Sequence, residues 1–197
     1  WRAPGAGIGA IERDGWRARL EALAAQVREA DPTPALARAL AEAGLEGYGA
    51  LPEGAAPEAG ALARGWDVPE VAAARAAHGA GLAARLAASR HELLALPGRM
   101  AEALAAIEPA PARAAKRADG PGRAVVETAR GPLTHALRLT AGRVADYSTA
   151  APTEVNFAPR GPALAGLSGA RAEARAAELH MIAIDPCVAC RVEIVPL

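Results

Sequence analysis

The sequence predicts an α+β protein: a mainly helical N-terminal lobe over residues 1–108, a linker over 109–122, and a C-terminal unit over 123–197 made of a small antiparallel sheet plus helices. Three observations carry this reading. The 197-residue chain is 52% hydrophobic but only 3% aromatic, with alanine supplying much of the apolar fraction. Alanine is the best helix former and buries little area per residue, so the core should be helix-rich and thin. Apolar residues recur at helical spacing up to about Ile107 and at a spacing of two after Gly122. Finally, Thr140-Ala141-Gly142-Arg143 reads as a hairpin turn between two alternating runs.

The elements follow in order. Asp14 can cap a first helix that gathers Trp16, Leu20, Leu23 and Val27 on one face. Thr33-Pro34 starts a second helix, which Gly44 stops. Gly47 to Gly65 reads as a loop. Asp67, Pro69 and Glu70 start a long third helix with Val71, His78, Leu82 and Leu86 on one face, and Ser89 with Glu92 repeats the capping box, so that either a fourth helix begins there or the third continues, to about Ile107. Pro109 to Gly122 is the linker, with a basic patch at Arg113, Lys116 and Arg117. Strands are expected at Ala124–Thr128, Thr134–Leu139 and Val144–Thr149, a helix at Ala170–His180, and a last strand at Val192–Val195.

Charge excludes some partners. The 22 basic and 22 acidic residues cancel, and no basic cluster is interleaved with aromatics, so no nucleic acid partner is expected. Arginines and acids interrupt every alanine stretch, leaving no run of about 18 apolar residues to enter a membrane. With no signal-peptide pattern at its start, the chain is expected in the cytoplasm. It opens at Trp1, so anything that preceded that residue lies outside this reading.

Cys187 and Cys190 are the only cysteines. A C-x-x-C pair brings two thiols to one point and suits a shared metal ion or an internal disulfide. Zinc would need two more ligands, whereas His78, His91, His135 and His180 are scattered singly. A thioredoxin-like pair would precede a helix in a βαβ unit, and a pair of inert core cysteines is the plainest option.

Four stretches in order narrow the choice. Asp185-Pro186-Cys187-Val188-Ala189-Cys190 resembles the D-P-C-x-x-C-x-x-H signature of nickel–iron hydrogenase large subunits. Val126-Glu127-Thr128-Ala129-Arg130-Gly131-Pro132-Leu133-Thr134-His135 is similar to the family's V-E-A-P-R-G-x-L-x-H. Gly142-Arg143-Val144 with Tyr147 resembles its G-K-I-x-x-Y hairpin, and Ala151-Pro152-Thr153-Glu154-Val155-Asn156 with Pro159-Arg160 its V-P-[ST]-T-W-N-x-x-P-R-D. Together they cover about Gly120 to Glu193, and ordered co-occurrence is far more specific than one motif.

The resemblance implies the fold of the C-terminal part of such a large subunit. It also implies that Cys187 and Cys190 are thiolate ligands of an iron carrying cyanide and carbon monoxide. Arg130 and Thr153 would serve the cyanides, with Pro152 beside them and Leu133 as a hydrophobic wall. An iron(II) with two thiolates and two cyanides carries a formal charge of about −2, which calls for a cation and donors around it. The departures matter too. The family's N-terminal C-x-x-C is absent from this chain, Glu193 replaces the His of the signature, only Ile194 to Leu197 follow, Ala129 replaces Pro and Val155 replaces Trp. Nickel is therefore not expected to be held. The pattern resembles the HupK-type hydrogenase expression/formation proteins, and implies a non-catalytic maturation scaffold that holds the cyano-carbonyl iron precursor. Its partners would be a hydrogenase large subunit and other maturation proteins. The alternative is a fragment or divergent form of a large subunit itself, with hydrogen oxidation or evolution as its activity.

Taken singly, other residues read plainly. Gly5-Ala6-Gly7-Ile8-Gly9 lacks phosphate-loop spacing and reads as a loop. His78 reads as a core or boundary residue, His135 as structural in its strand, Glu193 as a solvated strand carboxylate, and His180 as a charge at a helix C-terminus.

Overall fold

The computed structural model describes residues 13–53, 58–107 and 119–195. The Gly5–Gly9 loop and the Arg113, Lys116 and Arg117 patch lie outside the described residues. The element order is α1 (Arg13–Glu29), α2 (Thr33–Ala43), α3 (Ala61–Arg64), α4 (Pro69–His78), α5 (Leu82–Ala105), β1 (Gly120–Thr128), β2 (Gly131–Thr140), β3 (Arg143–Ala150), α6 (Pro152–Asn156), α7 (Pro162–Leu167) and α8 (Ala174–Ile184). Among the described residues no helix is long and apolar enough to cross a membrane.

The chain divides into two compact units, one of Trp1–Pro32 with His91–Arg113 and one of Thr33–Arg90 with Ala114–Leu197. The first holds α1 and the later part of α5. On α1 the helical stripe is present, but only Leu20 is buried, while Trp16 is exposed with the Arg19 guanidinium 5.5 Å from its ring centroid. The helix also begins ahead of the expected cap at Asp14.

The second unit holds everything else. Gly44, at φ +63°, stops α2 as its position suggested. The expected loop from Gly47 to Gly65 contains one helical turn, α3, which buries Leu62. The third helix is shorter than its apolar stripe implied. It stops at His78, because Gly79 takes φ +74° and Gly81 passes so close to the Gly47 backbone that a Cβ there would lie 2.7 Å from the Gly47 carbonyl carbon. Leu82 thus opens α5, which runs straight through Ser89, so the helix break falls ten residues earlier than the Ser89 capping box suggested, and His78 is exposed rather than a core residue. The core is thin and alanine-rich: Leu62, Val71, Ala80, Ala84 and Ala88 form one cluster, and Leu45, Leu82 and Ala176 another.

The sheet is an antiparallel meander in the order β1-β2-β3. All three strands lie where alternation placed them, each extended by a few residues. Ala141 at φ +51° and Gly142 at φ +70° form the two-residue turn between β2 and β3, a backbone twist that suits a tight hairpin. The Asp119 carboxylate accepts both of their N–H groups. At the other end Ala129 and Arg130 join β1 to β2, since Thr128 pairs with Gly131. The helix expected from Ala170 starts at Ala174 and runs on to Ile184. The strand expected at Val192–Val195 does not form. Residues 185–195 run as an irregular tail with Val188 and Val195 exposed, so Glu193 is a solvated carboxylate outside any strand.

Candidate functional site

The β1–β2 turn is a rigid platform for Arg130. The Thr128 hydroxyl donates to the Gly131 carbonyl at 2.8 Å and accepts the Arg130 N–H at 3.3 Å, closing the turn on itself. From α3, Arg64 donates to the carbonyls of Thr128 and Ala129 at 3.4 and 2.7 Å. Gly131 sits at φ +122°, and a Cβ there would meet the Ala59 Cβ at 3.1 Å and the Gly60 nitrogen at 3.3 Å, so the turn can press against the 58–60 segment only with glycine at this position.

The side chain of Arg130 reaches to the end of α8. Its Nε donates to the Asp185 carbonyl at 2.8 Å and its Nη2 to the Asp185 carboxylate at 3.1 Å. Asp185 is the left-handed cap of α8, at φ +55°, a conformation that Asp tolerates better than most residues. The pair is partly open to solvent, with the Arg130 side chain 37% and the Asp185 side chain 61% exposed. Its value therefore lies in orientation more than in stability.

Two residues further on, the tail meets α6. The Thr153 hydroxyl accepts the Cys187 N–H at 3.3 Å. Pro152, buried at the first position of α6, is beside Gly131. The α6 start is fixed by Glu154, whose carboxylate accepts the Ala151 N–H at 2.8 Å. Cys187 and Cys190 are both free thiols and both exposed, and the Cys190 thiol points to the Val188 carbonyl at 3.7 Å. Arg130, Asp185, Thr153 and Cys187, drawn from the β1–β2 turn, the end of α8, the start of α6 and the tail, are thus linked by hydrogen bonds. Leu133 is half-buried on β2, two residues past Gly131, and is paired with Val126 across the sheet. His135 bonds Tyr147 across β2 and β3, Nδ1 to hydroxyl, at 2.7 Å. Among the described residues no three His, Cys, Asp or Glu side chains gather as one metal-holding group.

Beneath this cluster lies a buried polar group that motif reading does not reveal. His180 is fully buried in the body of α8 rather than charged at its end. Its Nε2–H donates to the Ala163 carbonyl at 2.9 Å, which leaves the unprotonated Nδ1 facing Arg85 Nη1 at 3.5 Å. The ring fills a slot between two glycine backbones. A Cβ on Gly49 would lie 2.0 Å from Nδ1, and one on Gly166 would lie 2.7 Å from Cε1. Burial, then the neighbouring Arg85 charge, lower its pKa to about 4, with the Ala163 bond acting in the other direction.

Arg85, itself 1% exposed, donates from Nη1 to the Gly49 carbonyl at 2.9 Å and from Nε to the Glu58 carboxylate at 2.8 Å. Burial raises the Glu58 pKa, and the Arg85 charge and hydrogen bond oppose the rise. Next to Glu58, the buried Asn156 amide pairs with Ala59 on both sides, accepting its N–H at 2.8 Å and donating to its carbonyl at 2.9 Å. Separate positions in four elements build this group, so no local spacing announces it. The one signal available was that His180 shares a helical stripe with Ala176 and Ile184.

The chain has relatives among hydrogenase expression/formation proteins. It is 39% identical over 107 residues to the hydrogenase expression/formation protein HupK of Azotobacter vinelandii, a match covering 51% of this chain and 31% of that protein. It is 35% identical over 141 residues to HupK of Bradyrhizobium diazoefficiens, covering 68% of this chain and 38% of that one. The chain thus spans about a third of the length of these relatives. No family model matches it. Among solved structures, the Ni-Fe-Se hydrogenase from Desulfovibrio vulgaris Hildenborough superposes with a TM-score of 0.52 at 20% identity, over 66% of this chain and 34% of that one. Over those residues the fold resembles part of the hydrogenase large subunit.

Proposed function

We propose, from the chain's similarity to the HupK-type hydrogenase expression/formation proteins, that it serves hydrogenase maturation as a non-catalytic scaffold. Its cargo is the cyano-carbonyl iron precursor of a nickel–iron site, held on Cys187 and Cys190 and passed to a hydrogenase large subunit. The observation that carries this reading is the hydrogen-bonded convergence of Arg130, Thr153 and the Asp185–Cys187 segment.

The donor set suits such a cargo. Two cysteines three residues apart, both exposed, supply two anionic thiolate ligands without rearrangement of the core. Arg130 spends Nε and one Nη2–H on Asp185, and its Nη1 donates to no described residue, so donors remain for an anionic ligand while the guanidinium plane stays fixed. The Thr153 oxygen accepts from Cys187 N–H, which leaves its own O–H to donate to a second acceptor. Leu133 and the buried Pro152 supply an apolar wall beside these donors. With three positions of a six-coordinate iron taken by diatomic ligands, two protein bonds suffice to hold it and still allow release. Other maturation proteins would load the site, and nickel has no part in the holding step.

The test is iron content. The chain is produced together with the proteins that make the cyano-carbonyl iron unit and purified without oxygen. Cys187→Ala and Cys190→Ala each abolish iron loading and leave the fold intact, because both residues sit on the exposed tail. A full iron complement in either variant overturns the thiolate assignment.

A further inference from the structure

We infer that Arg85 is the positioning residue of the cysteine site, a single buried guanidinium that fixes both supports from which the site is built. The first support is α8. Arg85 faces His180, which the Ala163 carbonyl and the backbones of Gly49 and Gly166 hold in one place, and Arg85 binds the Gly49 carbonyl that walls this slot. Five residues after His180 the helix ends in Asp185, the partner of Arg130, and two residues later comes Cys187. A buried side chain locked on all sides sets the rotation and the axial position of its helix, and so the point from which the tail departs.

The second support is the 58–60 segment. Arg85 holds Glu58 by Nε, and its Nη2 lies 2.8 Å from the same carboxylate oxygen. The adjoining Ala59 is clasped by Asn156 of α6, the helix that carries Thr153. Ala59 and Gly60 also form the floor against which Gly131, and with it the Arg130 turn, is pressed. Removing Arg85 thus frees the thiol-bearing helix end and the Arg130–Thr153 wall at once. Met or Leu at position 85 would fill the space but hold neither.

Hydrogen-bonding geometry makes the reading specific. The Nδ1 of His180 can accept from Arg85 only because Nε2 carries the proton, so a Gln at 180, with an N–H donor and an oxygen acceptor at its tip, can serve both partners. Leu at 180 can serve neither. Within the site, the Arg130 Nε–H bonded to the Asp185 carbonyl is the reporter, since an arginine Nε–H held in one bond exchanges with solvent slowly and gives its own nuclear magnetic resonance signal.

This inference takes its meaning from the proposed site, but its test uses no iron. The Arg130 Nε–H signal and the Cys187 amide are followed in the full chain, well below its melting temperature, for the unmodified protein, Arg85→Met, His180→Leu and His180→Gln. We expect both signals to exchange on the order of tenfold faster in Arg85→Met and His180→Leu, and to return to the unmodified rate in His180→Gln. Unchanged exchange at both reporters in a folded Arg85→Met protein, with only the melting temperature lowered, reduces Arg85 to a stabilising residue and overturns the inference. If Arg85→Met does not fold, the contrast between His180→Leu and His180→Gln decides in the same way. Iron loading, measured separately, tells the two ideas apart. Reporters that respond as expected in a protein that never takes up iron leave the positioning role standing and remove the scaffold reading.

Discussion

Replacing His180 by Gln should flatten the acid side of the stability profile. In the unfolded chain this imidazole takes a proton near its ordinary pKa of 6.5, but in the folded protein only near about 4. Between those values the unfolded state binds more protons, so stability falls as pH falls, and the full contribution is present only above 6.5. The interval corresponds to roughly 3 kcal/mol, of which some 2–3 kcal/mol is lost between pH 7 and pH 4.5. Glu58 acts with the opposite sign. Its folded pKa lies above 4.5, so its protonation favours the folded state in the window just above that value, and stability falls there as pH rises. Gln at 180 keeps the contacts to Ala163 and Arg85 and leaves Glu58 in place, so the difference between the two proteins isolates the imidazole. Urea unfolding at pH 7, 6, 5 and 4.5 measures it. The unmodified protein should lose roughly 2–3 kcal/mol more than His180→Gln over that range. Parallel profiles would refute the buried, neutral, Nε2-protonated state of His180.

Five further variants bear on the same framework. Gly166→Ala places a Cβ 2.6 Å from the Gly49 carbonyl oxygen and 2.7 Å from the His180 ring, so it should destabilise by more than about 2 kcal/mol in urea unfolding. An unchanged midpoint would mean the slot is looser than its geometry. Asn156→Ala leaves the Ala59 N–H and carbonyl without their partner and should cost about 2–4 kcal/mol by the same measurement, with a loss below about 0.5 kcal/mol contradicting the clasp. Arg130→Ala should cut retention of the cyano-carbonyl iron sharply, Arg130→Lys should restore only part of it, and Thr153→Val should shift the cyanide stretching bands with a smaller loss. Three variants that match the unmodified protein in iron content and band position would exclude a role for the Arg130–Thr153 pocket.

Much of this was legible in the sequence, and the reasons are local. Strand alternation and the Ala141-Gly142 turn act within a few residues, so all three strands and the hairpin could be placed. The motifs around Arg130, Thr153 and Cys187 point to segments that hydrogen bonds then join. What could not be read depends on distant packing. The apolar stripe through Val71, His78 and Leu82 suggested one long helix, yet Gly79 turns to φ +74° and Gly81 packs against the Gly47 backbone, which breaks it. Val192–Val195 has strand-forming residues but no neighbouring edge pairs with it. His180 read as a helix-end charge because its helix was drawn four residues too far toward the N-terminus. Glu58 and Arg85 carry no motif or spacing that marks them in an Arg- and Glu-rich chain, since only the tertiary fold brings them together.

The scaffold reading rests on whether the tail and the Arg130 turn together hold a cyano-carbonyl iron, and an infrared spectrum asks this most directly, because metal-bound cyanide and carbon monoxide absorb where protein does not. The chain, produced alongside the cyano-carbonyl iron machinery and purified without oxygen, should show both cyanide and carbonyl bands, and Cys187→Ala should show neither. A spectrum without those bands from correctly folded, fully reduced protein, or bands that persist after Cys187 is removed, would contradict the account.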